Sequence, residues 1–446
     1  MTTIRIGAGA GFADDRIEPA VELAEKGDLD YLVFECLAER TIALAQLERL
    51  HDPRRGYNEW LEDRMEAVLE ACVARGTTII TNMGAANPRG AAEVIRRIAQ
   101  EKGIRGLRIA AVSGDDVLAQ VKGSNLPLLE QDGTVADLGD SVVSANAYIG
   151  TDAIVQSLNE GADIVVAGRV ADPSLFLAPL IHEFGWATDD WDLMGKGTAV
   201  GHLLECAAHV TGGYFSDPGF KDVPDLAGLG FPVAVVRDDG SFHVTKVPGS
   251  GGRVTVATVT EQLLYEVHDP AGYPTPDVVA DFSHAHLEQI SDDAVSVTGI
   301  TGRPRPSDLK VSVGYVDSYI GAGEISYTGP NAAVRARQAL DVVRDRLAAT
   351  HVATTESRFD LIGINAVHRG AGTVSSGTPA EVRIRVVGRT ASLREARRVG
   401  REVTALWLNG PSGGGGAVRT AVEDIAIVSV FLPRTRLSTS VHYLEV

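Results

Sequence analysis

Cysteine is scarce in this chain, with only Cys36, Cys72 and Cys206 among 446 residues. Their odd number, wide spacing and lack of any CxxC pair exclude a disulfide framework and a structural zinc site, and read as reduced thiols. Basic residues are in deficit, 41 Lys and Arg against 59 Asp and Glu, for a formal charge of −18. Nucleic acid or an anionic membrane surface would be repelled over most of such a surface, so neither is expected as a partner. A local basic pocket for a small anion stays open. No apolar run approaches the length that spans a bilayer, and no leader-like stretch comes after Met1. The expectation is a soluble, cytoplasmic protein.

Apolar residues, at 44%, are ample for sizeable cores in two or three domains. Strand-like runs ("TIRIG", "DYLVFECL", "TTIITNMG", "LRIAAVSG", "ADIVVAGRV") alternate with helical patterns such as "IEPAVELAEKG", "WLEDRMEAVLEACVARG", "RGAAEVIRRIAQEKG" and "GTDAIVQSLNEG". Each helical pattern ends at a glycine, which predicts left-handed caps. The alternation predicts an α/β fold with a mostly parallel, doubly wound, Rossmann-like sheet over residues 1–230. A β-rich extension comes next over 231–350, where "FPVAVVRDDGSFHVTKVPG" reads as a hairpin. A small α+β, ferredoxin-like unit is expected over 351–446, in the order β-β-α-β-β.

Ligands of parallel sheets sit at the carboxyl ends of the strands. The first such end, "GAGAGFADD", places glycines at positions one, three and five, whereas a dinucleotide fingerprint needs them at one, three and six. Asp14 and Asp15 stand where a helix should start, so a pyrophosphate would meet two negative charges. Gly9, Gly11 and Phe12 then either form a plain tight turn or bring backbone close to another ligand. Further strand ends carry Glu35, Cys36 and Glu39; Asn82 and Asn87; Ser113, Asp115 and Asp116; Asn146 and Tyr148; and Arg169, Asp172 and Ser174. Singly, each reads as a helix cap; together they suggest a convergent polar site. Arg169 can anchor a carboxylate or phosphate through its planar fork, or simply pair with a nearby acid.

His202, Glu205 and His209 are spaced i, i+3, i+7, which puts them on one helical face, suited to proton transfer or, less well, to a metal. Cys206 beside them is a nucleophile only if activated. In "VPGSGGRVT", Ser250, Gly251, Gly252 and Arg253 form a glycine-rich turn entering a helix with no acid at its start, which suits an anion. Ser250 lacks the context of a hydrolase nucleophile. Lys310, Tyr315, Asp317, Tyr319 and Glu324 surround further glycines, as in a loop closing over a site or a tight domain junction.

Several stretches, among them "GAGAGFADDRIEPAVELAEKGDLDYLVFECLAERTIALAQ", "TNMGAANPRGAAEVI", "NAYIGTDAIVQSLNEGADIVVAGRVADPSLFLAPLIHEFGW" and "LKVSVGYVDSYIGAGEISYTGP", resemble the acyclic terpene utilisation protein A family. The tail from Phe359 resembles the ferredoxin-fold module often fused to it. The resemblance implies a place in the degradation of acyclic terpenes through branched acyl-CoA thioesters, but carries no agreed catalytic residues. The expected activity is therefore a lyase, a hydratase or carbon–carbon lyase, acting on a branched acyl-CoA or related organic acid. Glu35 or His202 would act as base, Asp172 or Glu205 as its partner, and Asn82 and Asn146 as donors to an enolate oxygen. Arg169 and the Ser250–Arg253 turn would hold carboxylate or phosphate groups. No cofactor is identified, a divalent metal requirement stays open, and a homo-oligomer is expected. The alternatives are a non-catalytic acyl-binding or partner-enzyme subunit and, further off, an NAD(P)-dependent oxidoreductase.

Overall fold

Runs of β-branched and aliphatic residues with no polar face can be buried only between two layers, and they form the centre of the molecule. The computed structural model describes residues 2–368 and 379–446. Five strands lie parallel in the order Thr3–Ala10, Tyr31–Phe34, Thr78–Thr81, Ile164–Ala167, Arg108–Ser113. The whole sheet is mixed and ten-stranded, because antiparallel strands extend both sides of this centre. The hairpin Pro232–Arg237 and Phe242–Lys246 adds beside the first strand, and Ser440–Glu445 adds antiparallel to Arg108–Ser113. The protein is thus α/β with mixed sheets.

The chain divides into two compact units, one of residues 1–314 and 427–446, the other of residues 315–426. The expected boundary near residue 350 differs from this division at both ends. The last strand, Ser440–Glu445, pairs with Arg108–Ser113 of the large sheet instead of closing the tail's own sheet. The smaller unit takes its strands in the order Glu356–Ile362, Glu381–Thr390, then the second half of Asp308–Thr328, then the first half of Gly414–Pro433. Helices Ala332–Ala349 and Leu393–Asn409 pack on Ile325, Tyr327, Ile384 and Val386 of that sheet.

Helix caps obey the glycine pattern with one departure. Gly76, Gly103 and Gly161 have positive φ at or just past their helix ends. Gly27 is right-handed, with φ −72°, and Asp28 takes the positive φ instead. Among the described residues no helix is long and apolar enough to cross a membrane.

The smaller unit depends on a close approach. A Cβ on Gly321 would lie 1.9 Å from the Ala396 carbonyl oxygen, so this strand position admits no side chain while the helix Leu393–Asn409 stays seated. Gly321→Ala should destabilise this unit by about 1–3 kcal/mol in thermal or urea unfolding. Gly415→Ala, which meets nothing within 4 Å, serves as the control and should leave stability unchanged.

Candidate active site

The first strand does not end in a phosphate cradle. Gly11 donates its amide to Asp15 Oδ2 at 2.9 Å, and the guanidinium of fully buried Arg64 donates to the carbonyls of Ala13 and Asp15. The amide that would meet a pyrophosphate is occupied, and the helix begins later, at Glu18. Gly11 has another use. A Cβ there would come within 2.5 Å of the Cys206 carbonyl carbon, so its bareness lets the Glu205–Cys206 backbone approach the strand end. Gly9 packs against the ring of Phe34 and stays in the core.

Beside this contact opens a cavity of about 740 Å³ in the larger unit, reached by Gly11, Phe12, Glu35, Arg169, Asp172 and Glu205. These expected residues come from distant segments and share one space. Arg169, 1% exposed, lies at its floor. Its guanidinium donates to the Leu37 carbonyl and to Asp172 Oδ1 at 2.9 Å, and its plane lies 4.1 Å from the Tyr148 ring centroid. Its Nε has no partner among the described residues. Burial works against the charge of Arg169, but Asp172, Tyr148, Glu35 and Glu39 outweigh it and raise its pKa. Among the described residues the Asp172 side chain accepts from Arg169 and from no backbone amide of the helix Ser174–Phe184 just after it.

The acids around this cation do not all ionise readily. Burial, with Glu205 and Glu39 adding repulsion against the pull of Arg169, raises Asp172 to about 7. Burial and then the charge of Asp172 push Glu35 well above its ordinary range. Glu35 Oε1 accepts from the Leu37 amide at 2.8 Å and from Asn82 Nδ2 at 2.9 Å. Glu39 goes the other way, to about 2: although burial opposes ionisation, the Tyr148 hydroxyl, Arg169 and Lys310 outweigh it.

Glu205 carries the clearest sign of an unfilled role. Its Oε1 lies 2.9 Å from His202 Nδ1, while its buried Oε2 has no partner among the described residues. Burial raises its pKa, against the pull of His202. His202 Nε2 lies 3.2 Å from the Leu263 carbonyl oxygen, which accepts its proton. Nδ1 therefore faces Glu205 either as a donor from the imidazolium or as the acceptor of the Glu205 proton. In both forms the pair carries one proton. Burial disfavours the imidazolium but Glu205 outweighs it, so the His202 pKa is raised.

Other expected residues stand elsewhere. Asn82 and Asn146 are buried behind the cavity with their amides engaged, Asn82 by Glu35 and Asn146 by Asp115 at 2.8 Å, so neither is free to donate to an enolate. Asp115 also accepts from the Arg169 amide at 2.9 Å, which makes the Asn146–Asp115 pair a support for the arginine. His202 lies beneath Glu205, stacked on Phe282, and holds its partner without reaching the cavity. His209 leaves the helical face because the helix ends at Leu204 and Ala207 takes φ 38°. Among the described residues no cluster of His, Cys, Asp and Glu could hold a metal ion.

The Ser250–Arg253 turn is not part of this cavity. Ser250 donates to the Val247 carbonyl at 2.7 Å, and Gly251 and Gly252 lie close against the backbones of Gly228 and Thr211. Arg253 borders a separate, open cavity with Lys221 and Glu261, and donates to the Asp222 carbonyl. Burial raises the pKa of Cys206, which removes the activation a nucleophile needs. Sequence reasoning missed the roof of the site, Glu266, Tyr273, Pro274, Pro276 and Pro306, because nothing local marks a loop that folds back over distant strands.

A raised acid pKa makes a stability prediction. Between about pH 4 and pH 7 folded Asp172 holds a proton that the unfolded chain has lost, so its contribution falls as pH rises. His202, also raised, has the same sign: its stabilisation is present below its unfolded value and lost as pH rises through the folded one. Asp172→Asn should therefore raise stability at pH 8 by about 2 kcal/mol. That figure is roughly half of the linkage limit, because the side chain is 32% exposed. The gain should shrink as pH falls and vanish only below about pH 4, and thermal melts from about pH 4 to about pH 8 check it. A loss at pH 8 larger than at pH 5 would contradict the assignment.

A family model described as "Acyclic terpene utilisation family protein AtuA" matches residues 4–443. No curated protein matches the chain. Among solved structures, a homoserine dehydrogenase from Thiobacillus denitrificans aligns over 91% of this chain and 84% of its own. The identity is 12% and the TM-score 0.16, a similarity that carries no argument.

Proposed function

Because this chain belongs to the acyclic terpene utilisation protein A family, we propose that it is a catabolic enzyme of acyclic terpene breakdown. Its cavity would carry out acid–base chemistry, hydration/dehydration or carbon–carbon cleavage, on a branched acyl-CoA thioester or related organic acid. One observation carries this reading: Glu35, Asp172 and Glu205 border one cavity around a buried arginine, and all three have raised pKa values. Asp172, raised to about 7, can take and return a proton near neutral pH, and Glu35 and Glu205 hold protons more readily than exposed acids do.

Asp172, near 7, is suited to remove the proton beside the thioester carbonyl. Negative charge then develops on the carbonyl oxygen, where the adjacent guanidinium of Arg169 favours it. Glu205 is suited to give a leaving hydroxyl the one proton it shares with His202, which leaves a carboxylate beside a neutral imidazole, and water returns the proton afterwards. Asn82 fixes Glu35, and Asp115 fixes the Arg169 backbone; both are positioning residues. The apolar wall formed by Leu37, Pro173, Leu309 and Phe431 suits a branched hydrocarbon chain. On this reading the substrate is neutral at its reacting end, since a free carboxylate would meet Glu35, Asp172 and Glu205 together.

Purified protein incubated in D₂O with branched 2-enoyl and 3-hydroxyacyl thioesters tests the proposal. Turnover, or deuterium entering the carbon next to the thioester, is expected, with kcat/KM rising through an apparent pKa near 7. Asp172→Asn and Glu205→Gln should each lower the rate by about 10²–10⁴-fold. Neither turnover nor exchange with any of these thioesters, while they still bind, would overturn the lyase reading and leave an acyl-binding subunit.

A further inference from the structure

The smaller unit ends in a strand edge that is built to pair. Among the described residues the first half of Gly414–Pro433 lies at the end of its sheet, bonded on one side only, to Asp308–Thr328. Among the described residues the backbone of 417–426 makes no hydrogen bond beyond that ladder. Monomeric proteins blunt such edges with proline, lysine or a very short strand. This strand is 20 residues long and has no proline or lysine between Gly414 and Leu432.

Its side chains alternate between two faces. Arg419 faces the helix Leu393–Asn409, since its Cβ would lie 2.8 Å from a Cβ on Gly400, and Ala421 and Glu423 share that face by the period of two. Val418, Thr420 and Val422 point to the other face, the two valines about half exposed. Arg383, Arg385 and Arg389 on Glu381–Thr390, one strand further in, all have acidic partners, in Glu324, Asp360 and Asp317. Arg419 and Glu423 take part in none of the ion pairs among the described residues. Above them, Trp407 stands two helical turns beyond Gly400 and so lies on the same helix flank. It is 62% exposed, and the adjacent Leu408 is 91% exposed. An unpaired edge, a lone cation and a lone anion four residues apart, and an exposed tryptophan–leucine pair lie together on one side of the unit.

We propose that this edge pairs antiparallel with the same edge of a second copy of the chain, about a two-fold axis at Ala421. In that register Arg419 stands opposite the partner's Glu423, twice by symmetry, and Thr420 opposite the partner's Val422. The occupant is a second copy because the edge is complementary in charge to itself when reversed, as an isologous contact requires. The two sheets join into one across the seam. The inference is independent of the catalytic reading.

Sedimentation equilibrium on the full chain tests it. The wild-type chain is expected to dimerise at micromolar concentration or below. Arg419→Glu and Glu423→Arg should each weaken the dimer by about tenfold or more, since each creates two like-charge pairs across the seam. The double variant should recover most of the loss. Far-ultraviolet circular dichroism confirms that each variant folds. A monomeric wild-type chain, whatever else binds the edge, would overturn the proposal. So would an assembly insensitive to Arg419→Glu, or a double variant as weak as either single one.

Discussion

A cation buried from water must be answered by charge or by oriented dipoles, and the buried guanidinium of Arg169 imposes this on the segments around it. Leu37 gives it a carbonyl, Asp172 a carboxylate, Tyr148 an aromatic face and Asp115 a hold on its amide. Each of these lies next to the end of a different strand. Their convergence defines the cavity. Burial and the surplus of acids around one arginine then set the chemistry, because burial disfavours each carboxylate and the acids also repel one another while sharing a single strong cation. Asp172 and Glu35 consequently hold protons at pH values where exposed acids would have lost them.

The parallel centre of the sheet explains why these groups meet. Parallel strands deliver their carboxyl ends to one rim, and each connection begins there with whatever polar residues the loop carries. Glu35 comes directly after Tyr31–Phe34, Asn82 after Thr78–Thr81, and Arg169 and Asp172 after Ile164–Ala167. The helix Trp191–Leu204 brings Glu205 to the same rim only because Gly11 lacks a side chain. Function on this account depends on a close approach at a glycine as well as on charge.

The five central strands are legible in the sequence because buried parallel strands are apolar without interruption, as in Tyr31–Phe34 and Ile164–Ala167. The strand Ser440–Glu445 is legible too, but its partner, more than 300 residues upstream, is not; "VHYLEV" carries no mark of the sheet it joins. The helix Glu39–His51 escapes a periodicity reading because it buries only Ile42, Ala43 and Gln46, too few to set a clear period. Glu35, Arg169 and Asp172 are marked by their places just past strand ends, and Glu205 by the helical face it shares with His202. His209 is misplaced by the same logic, since a single backbone reversal at Ala207 ends the helix that periodicity would have continued. The turn Ser250–Arg253 resembles an anion site in composition, yet its serine and glycines are spent on local packing.

The account stands most directly on whether Asp172 keeps its proton in the folded protein. Infrared difference spectra between the wild-type chain and Asp172→Asn, recorded from about pH 2 to about pH 9 to bracket both values, isolate that carboxyl. The account predicts a protonated carbonyl band that disappears with a midpoint near pH 7. A midpoint near pH 4, about the value of an exposed aspartate, would contradict it.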